Sequence, residues 1–214
     1  TLYAALRGLD TAHVNILTIE DPIEYQLPGI GQIQVKPKIG LTFAQGLRHI
    51  LRQDPDVIFV GEIRDLETAE IAIRSALTGH LVFSTLHTND SVSAMVRLVD
   101  MGIEPYLLGE AVHAVLAQRL VRKLCPHCRA AGAWTGAELD PLGPAARVVA
   151  HQPIWRAVGC PSCLGGYRGR TGIYEWLELG PELREAVRKG APASELRALA
   201  VRRGFQALLN DGVD

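Results

Sequence analysis

The stretch Asp56–Asp65, which reads DVIFVGEIRD, decides the fold of this chain. Its four apolar residues, Val57–Val60, are typical of a strand that is buried on both faces of a parallel sheet. Gly61 ends the apolar run, and Glu62 follows at once. Because a parallel strand delivers the residues that follow it to the carboxyl edge of the sheet, where α/β folds bind ligands, we expect Glu62 at the mouth of a site.

Glu62 has two interpretations at this stage. An apolar strand that ends in an acid is what a nucleotide-hydrolysing core needs to order Mg²⁺ and a water molecule. The alternative is a strand followed by a solvated turn that includes Arg64 and Asp65. The stretch by itself favours neither interpretation.

Two further strands are predicted on either side of this stretch. Asn15–Ile19 is a second apolar run. It is followed by three acids within five positions, Glu20, Asp21 and Glu24. His80–Asp90 has an apolar middle, with His87 among the polar residues at its exit. Since strands alternate with helical patterns across residues 14–124, we predict an α/β fold whose parallel sheet is covered on both faces and whose polar strand ends lie side by side.

The segment between the first two predicted strands divides into a loop and a helix. Residues 26–41 are rich in Gly, Pro and Gln, and we interpret them as a small hairpin or an extended loop. A helix follows, capped by Thr42 and running to Gln53. This helix carries Arg48 and Arg52 one turn apart, so both arginines lie on one face.

Three more helices are predicted by their apolar periodicity. One spans Leu66–Leu77, and the next is capped by Ser91. The last opens at Pro105 and runs to Leu116, with a continuation to Leu124 left open.

The composition limits the class of protein. At 214 residues with 48% of them apolar, the chain can form one or two packed domains. The formal net charge of −1 offers no electrostatic basis for nucleic acid as a partner. No apolar run approaches the ~18 residues that a membrane span needs. The chain opens with Thr1 beside a helical stripe and without a preceding cap, so we expect it to be a fragment.

Four cysteines form two Cys-x-x-Cys pairs: Cys125 with Cys128, and Cys160 with Cys163. Each pair places two thiolates on one side of a turn, and two such turns complete a tetrahedron around Zn²⁺. Redox chemistry is the alternative, although it usually needs a single pair within a thioredoxin-like pattern. We expect a structural zinc in a reducing compartment, since four thiolates leave no open position and His127 and His151 are not needed as ligands.

The region around and after the second pair reads as small irregular structure. Residues 130–158 predict a loop-dominated insert with one short helix. Gly165–Gly172 is glycine-rich but lacks the Gly-Lys-Ser/Thr ending of a phosphate loop, so a turn with exposed arginines is favoured. Ile173–Leu179 predicts a strand, and short helices follow to Leu209.

In combination, these motifs resemble one family, the secretion ATPases that power type II secretion and type IV pilus assembly. The resemblance covers nearly the whole chain. In that family's terms, its segments are the aspartate box Ile16–Glu24, the arginine-bearing helix Leu47–Asp56, the Walker B segment Val57–Asp65, the histidine box Gly79–Thr88, the start of the metal-binding subdomain Gln118–Cys125 with both cysteine pairs, and Gly166–Glu175.

The resemblance implies a RecA-like P-loop ATPase core, truncated at its N-terminal side, a tetracysteine zinc subdomain and a small helical C-terminal region. The corresponding boundaries are residues 1–124, 125–172 and 173–214. The family's Walker A loop lies immediately before the stretch that is Thr1–Leu6 here. The resemblance therefore implies that this chain lacks the phosphate-binding loop and does not hydrolyse ATP alone.

The resemblance also implies catalytic roles for five residues. Glu62 corresponds to the Walker B glutamate, which orients or deprotonates the attacking water or holds a Mg²⁺-bound water. Glu24 corresponds to a second acid that helps to hold the metal or the water. His87 would sense the γ-phosphate and pass its state to the next subunit. Arg48 and Arg52 would neutralise phosphate charge, and a solvated helix face is their alternative.

Three further residues are expected near the nucleotide. Glu20 and Asp21 belong to the aspartate box and would support its loop by hydrogen bonds. His80 opens the histidine box, and a hydrogen-bonded core histidine is an equal alternative for it.

The implied function is that of an ATP-hydrolysing motor subunit with ATP, Mg²⁺ and Zn²⁺ as cofactors. Its implied partners are other copies of the chain, forming a hexamer, and an inner-membrane platform protein, with no direct contact to nucleic acid. The implied location is cytoplasmic and peripheral to the inner membrane. The alternative from another class is a zinc-stabilised, non-catalytic docking module for the platform protein.

Overall fold

The computed structural model of this chain describes residues 1–212, except for the side chains at positions 144, 145 and 148. The chain forms two compact units. The first comprises Thr1–Val115 and Glu178–Leu199, and the second comprises Leu116–Leu177 and Ala200–Asp214.

A four-stranded sheet organises the first unit. Its strands are β1 (Ile16–Glu20), β2 (Gly31–Gln34), β3 (Val57–Val60) and β4 (Leu81–Ser84). Their order is β2-β1-β3-β4, and every neighbouring pair is parallel. All residues of β3 are buried, as the apolar run predicts. The expected α/β fold with a parallel sheet is confirmed.

The edge strand β2 corrects the interpretation of residues 26–41 as a hairpin or extended loop. Gly31–Gln34 pairs in parallel with β1, and a 3₁₀ turn at Pro37–Ile39 follows it. The alternating apolar residues of this segment suit any strand. Sequence alone does not reveal that its pairing partner is β1. In the register of the two strands Gly31 lies beside Leu17, which is 14 positions earlier in the chain.

Five helices belong to the first part of the chain: α1 (Leu2–Arg7), α2 (Phe43–Ile50), α3 (Leu66–Leu77), α4 (Ser91–Asp100) and α5 (Pro105–Ala111). The cap of α2 is Thr42, whose hydroxyl accepts the N–H of Gln45 at 3.2 Å, as predicted. The cap of α4 is Asp90 and not Ser91, because the Asp90 carboxylate accepts the N–H of Ser93 at 2.8 Å.

The sheet is covered on both faces. On one side, Leu6 of α1 packs with Ile16, Val57 and Phe59. On the other side, α2 lies so close to β1 that a Cβ atom added to Gly46 would sit 2.5 Å from Ile19 Cδ1. Glycine at this helix position is therefore required by the close approach of helix and sheet.

The rest of the chain forms two ribbons and several short helices. Its elements are β5 (Ala114–Leu124), β6 (Ala130–Gly132), α6 (Gly136–Leu139), a 3₁₀ segment (Asp140–Ala145), α7 (Ala146–Val149), β7 (Ile154–Arg156), β8 (Tyr167–Glu178), α8 (Pro181–Arg188), α9 (Ala193–Arg202) and α10 (Leu208–Asp211). Strand β5 pairs with β8, and β6 pairs antiparallel with β7. Among residues 1–212, none of the helices has the length and hydrophobicity of a membrane span.

Strand β5 replaces the helical continuation that the sequence left open toward Leu124. The helix α5 ends at Ala111 because Val112 takes an extended backbone conformation, with φ −85° and ψ 123°. The chain leaves the first unit along β5 and returns to it along β8, where Leu179 N–H donates to His113 O at 2.9 Å. Helix α8 then packs against α5, and both helices belong to the first unit.

Candidate active site and metal centre

The segments that leave β1, β3 and β4 are joined by backbone hydrogen bonds. Gly61 N–H donates to Ile19 O at 2.8 Å, and Ile63 N–H donates to Thr85 O at 3.0 Å. The Thr85 hydroxyl donates to Gly61 O at 2.6 Å. Three polar strand ends therefore meet at one rim of the sheet.

Glu62 and His87 are in contact at this rim. Oε2 of Glu62 accepts a hydrogen bond from Arg64 Nε at 2.5 Å and lies 3.1 Å from His87 Nε2. The Glu62 side chain is 12% exposed and that of His87 is 84% exposed. A nearly buried carboxylate thus faces an exposed imidazole from a strand end 25 residues further along the chain.

The charge of Glu62 is stabilised by its neighbours. The hydrogen bond from Arg64 lowers the pKa of this carboxyl, partial burial opposes that effect, and the hydrogen bond to His87 adds to the lowering. The hydrogen bond to Glu62 raises the pKa of Arg64, and the charge of Asp21 adds a smaller contribution in the same direction. Glu62 is therefore ionised at neutral pH.

Arg64→Gln is expected to raise the pKa of Glu62, because it removes the largest contribution that stabilises the carboxylate. Titration of the Glu62 carboxyl carbon by ¹³C NMR measures this change, and the midpoint moves to higher pH. Arg74→Gln, an exposed substitution on α3, is the matched control and leaves the midpoint in place. An unchanged midpoint in Arg64→Gln contradicts the electrostatic role of Arg64.

Glu20 is the last residue of β1, and its carboxylate is buried and hydrogen-bonded through both oxygens. It is 3% exposed. Its Oε1 accepts hydrogen bonds from the Thr18 hydroxyl at 2.5 Å and from Gln32 Nε2 at 3.0 Å. Its Oε2 accepts one from the Tyr3 hydroxyl. Both carboxylate oxygens of Glu20 are therefore engaged in hydrogen bonds within the first unit.

The side chain of Glu24 is exposed, and its backbone is hydrogen-bonded to the first unit. Its N–H donates to the Tyr3 hydroxyl oxygen at 3.3 Å.

Tyr3, Thr18 and Gln32 are site residues that sequence reasoning missed. Thr18 carries a detectable signal, since alternate strand residues share a face, whereas Tyr3 lies 17 positions from Glu20 and carries none.

His80 lies at the other end of β4 from His87. Its Nδ1 is 2.9 Å from Ser75 O and 3.1 Å from the Thr78 hydroxyl, in the turn that ends α3. The His80 ring therefore contacts the turn at the end of α3. The four residues of β4 separate it from the rim by roughly 13 Å.

The two arginines of the α2 region are exposed. Arg48 Nη2 donates to Glu67 Oε1 on α3 at 2.6 Å. Helix α2 ends at Ile50, so Arg52 lies beyond it and not on a continuing helix as predicted. The described contacts of Glu62 are with Arg64 and His87.

The four cysteines converge in the second unit, as their spacing predicts. Their Sγ atoms all lie within 4.8 Å of one another. The distances are 4.0 Å for Cys125 to Cys160, and 3.7 Å both for Cys128 to Cys163 and for Cys160 to Cys163. A tetrahedral zinc with Zn–S bonds of about 2.3 Å places its sulfurs about 3.8 Å apart, so the donor set fits that ion.

Comparison with known proteins decides the family. The family model described as "Type II/IV secretion system protein" matches residues 1–214. The chain belongs to this family. The expectation drawn from the motifs is confirmed, and the α/β fold is that of the family's ATPases.

Relatives within the secretion family are similar along the whole chain. The type II secretion system protein HxcR of Pseudomonas aeruginosa is 54% identical over 213 residues, which are 99% of this chain and 41% of that protein. The type IV pilus assembly ATPase PilB of Thermus thermophilus is 47% identical over 214 residues, covering 100% of this chain and 24% of that protein. The chain thus spans about two fifths or less of the length of these relatives.

A solved structure shares the fold. The crystal structure of the pilus retraction motor PilT with bound ADP has a TM-score of 0.61 and 31% sequence identity to this chain. The match covers 92% of this chain and 47% of that one.

Proposed function

We propose that this chain is the hydrolytic part of a motor subunit that uses ATP to power type II protein secretion or type IV pilus assembly. The observation that carries the proposal is the contact between Glu62 and His87 at the rim of the parallel sheet, in a chain of the secretion family. An ionised carboxylate beside an exposed imidazole suits the activation of water next to a triphosphate tail.

Glu62 acts on the attacking water in this proposal. Both of its described contacts fall on Oε2, so the other carboxylate oxygen is the one that accepts the proton of the water or holds a Mg²⁺-bound water. Arg64 keeps the carboxylate ionised and in one orientation. Glu24, on the turn that follows β1, is the second acid, and Asp21 adds negative charge at the same rim.

His87 is proposed to link the γ-phosphate to the neighbouring subunit. It is exposed and touches Glu62, so it can respond to a phosphate and to a second protein surface. Arg48 and Arg52 are proposed to neutralise phosphate charge in their own or a neighbouring subunit, for which Arg48 must leave Glu67. For His80 we propose the structural role at the end of α3, and for Glu20 the support of the aspartate box.

ATP, Mg²⁺ and Zn²⁺ are the proposed cofactors. The carboxylates at the rim offer the oxygen ligands that Mg²⁺ and its bound water prefer. Cys125, Cys128, Cys160 and Cys163 would hold a structural zinc, which supplies folding free energy to the second unit and no chemistry.

The complete protein is proposed to work as a homo-oligomer, a hexamer by resemblance, with an inner-membrane platform protein as its partner and no direct nucleic acid contact. We place it in the cytoplasm, peripheral to the inner membrane. The competing proposal remains a zinc-stabilised docking module without hydrolytic activity.

Phosphate release by the complete protein tests these two proposals. With ATP, we expect turnover when Mg²⁺ is present, none when Mg²⁺ is omitted from the buffer, and full turnover again when Mg²⁺ is added back. A protein that contains zinc and binds the platform protein, but releases no phosphate under any of these conditions, supports the docking module and overturns the motor.

A further inference from the structure

We propose that Tyr3 is a positioning residue. Its hydroxyl group connects the turn that carries Glu24 to Glu20 at the end of strand β1 and so fixes the position of that turn. The inference rests on the proposed ATPase function, because Glu24 is the second acid of that proposal. Tyr3 touches the backbone of Glu24 and not its carboxylate, so its effect on hydrolysis passes through the placement of Glu24.

The Tyr3 hydroxyl connects three groups. It donates to Oε2 of Glu20. It accepts the N–H of Glu24 at 3.3 Å and a hydrogen of Gln32 Nε2 at 3.4 Å. One oxygen atom therefore links helix α1, the end of β1, the acidic turn and the edge strand β2.

The anchor at the end of β1 is rigid. Glu20 is 3% exposed, and its other oxygen is held by Thr18 and Gln32, which are partners in the register of β1 and β2. Because Thr18 and Gln32 hold this carboxylate within the sheet independently of Tyr3, the Tyr3 hydroxyl has a fixed acceptor. The position of the hydroxyl in turn defines where the N–H of Glu24 lies.

The ring of Tyr3 is also held from two sides. Its centroid lies 4.6 Å from that of Tyr25 and 6.4 Å from that of the buried Phe59, both in edge-to-face geometry. Edge-to-face pairs of this kind fix ring orientation. The hydroxyl group is therefore presented by a ring that has little freedom to swing away.

The side chain of Gln32 also holds this turn through hydrogen bonds to its backbone. Its Oε1 accepts the N–H of Leu27 at 2.7 Å, and its Nε2 donates to Tyr25 O at 3.3 Å. The turn is thus attached at Glu24, Tyr25 and Leu27, and the hydrogen bond at Glu24 comes from Tyr3. The hydroxyl remains a donor at physiological pH, since burial, followed by the hydrogen bond to Glu20, raises the pKa of Tyr3 to about 12.

Tyr3→Phe in the complete protein tests this role, because it removes the hydroxyl and keeps the ring. A hydrogen bond to an ionic network contributes about tenfold in an equilibrium, so we expect kcat for ATP hydrolysis to fall about tenfold with the KM for ATP within about twofold. Tyr106→Phe on α5 is the control, since it deletes one exposed hydroxyl and leaves kcat unchanged. Equal kcat values in the two variants overturn the inference.

A double-mutant cycle distinguishes positioning of Glu24 from a general effect. Glu24→Gln alone lowers kcat, and adding Tyr3→Phe is expected to lower it no further, because the hydroxyl acts only through Glu24. An additional tenfold loss in the double variant overturns the coupling. If the wild-type protein shows no turnover while zinc is bound, the proposed function fails instead.

Hydrogen–deuterium exchange gives a readout that does not depend on hydrolysis. In Tyr3→Phe the amides of residues 21–27 are expected to exchange about tenfold faster, whereas those of α3 keep their wild-type rates and show that the first unit is folded. Unchanged exchange at residues 21–27 overturns the inference whatever the protein does with ATP.

Discussion

Glu62→Gln in the complete protein is expected to lower kcat for ATP hydrolysis by about 10²–10⁴-fold, the range of general acid–base catalysis. The amide has nearly the size of the carboxylate but neither its charge nor its basicity. Glu62 is the nearly buried, ionised acid at the rim, and its hydrogen bonds come from Arg64 and His87. The reaction then loses the group that accepts the proton of the attacking water.

ATP binding is expected to survive in Glu62→Gln, because the substitution acts on the transition state. Phosphate release and fluorescent-nucleotide titration separate the two effects, with kcat lost and affinity within a few-fold. Glu70→Gln is the matched control, since Glu70 is an exposed acid on α3, outside the rim. Turnover in Glu62→Gln equal to that of Glu70→Gln would remove Glu62 from the catalytic role.

Cys163→Ala is expected to empty the metal site and unfold much of the second unit. Structural zinc sites of small domains contribute roughly 10 kcal/mol or more to folding, and the short elements β6, α6, α7 and β7 have little buried apolar surface of their own. We expect zinc content to fall from about one ion per chain to a small fraction, with a large loss of thermal stability.

Metal analysis and thermal unfolding of the purified protein measure this prediction. Ser162→Ala is the control, because Ser162 is exposed in the same Cys-x-x-Cys turn and retains all four thiolates. A strong chelator added to the wild type reproduces the effect of Cys163→Ala. Wild-type stability in Cys163→Ala, or wild-type protein purified without zinc, would exclude a structural metal here.

Much of the fold was predictable from short-range pattern. Val57–Val60 is a strand because four apolar, mostly β-branched residues suit a position buried on both faces, and Leu66–Leu77 is a helix because its apolar residues follow the helical period. This reasoning missed the strands β2, β5, β6 and β7. Gly31–Gln34 and Ala114–Leu124 are strands whose partners lie far along the chain, and local periodicity carries no record of a distant partner.

The same limit applies to the candidate site. The meeting of Glu62 with His87 was predictable, because neighbouring parallel strands bring their carboxyl ends to one edge. The role of His80 was left open between the nucleotide site and a hydrogen-bonded core position, because its contacts with Ser75 and Thr78 depend on how α3 packs beside β4. The hydroxyl of Tyr3 was missed altogether, because only the packing of α1 on the sheet brings it to Glu20.

From its residues alone, this chain could be identified as a parallel α/β core with an acid at a strand end and a four-thiolate cluster, because local patterns and spacings encode strands, helices and metal turns. Only the tertiary structure decided which side chains contact the acids at the strand ends. Arg64 and His87 contact Glu62, and Glu20 accepts hydrogen bonds from Tyr3, Thr18 and Gln32. The physical reason is that hydrogen bonds and pKa values depend on distances of about 3 Å between groups far apart in sequence, which only the packed chain defines.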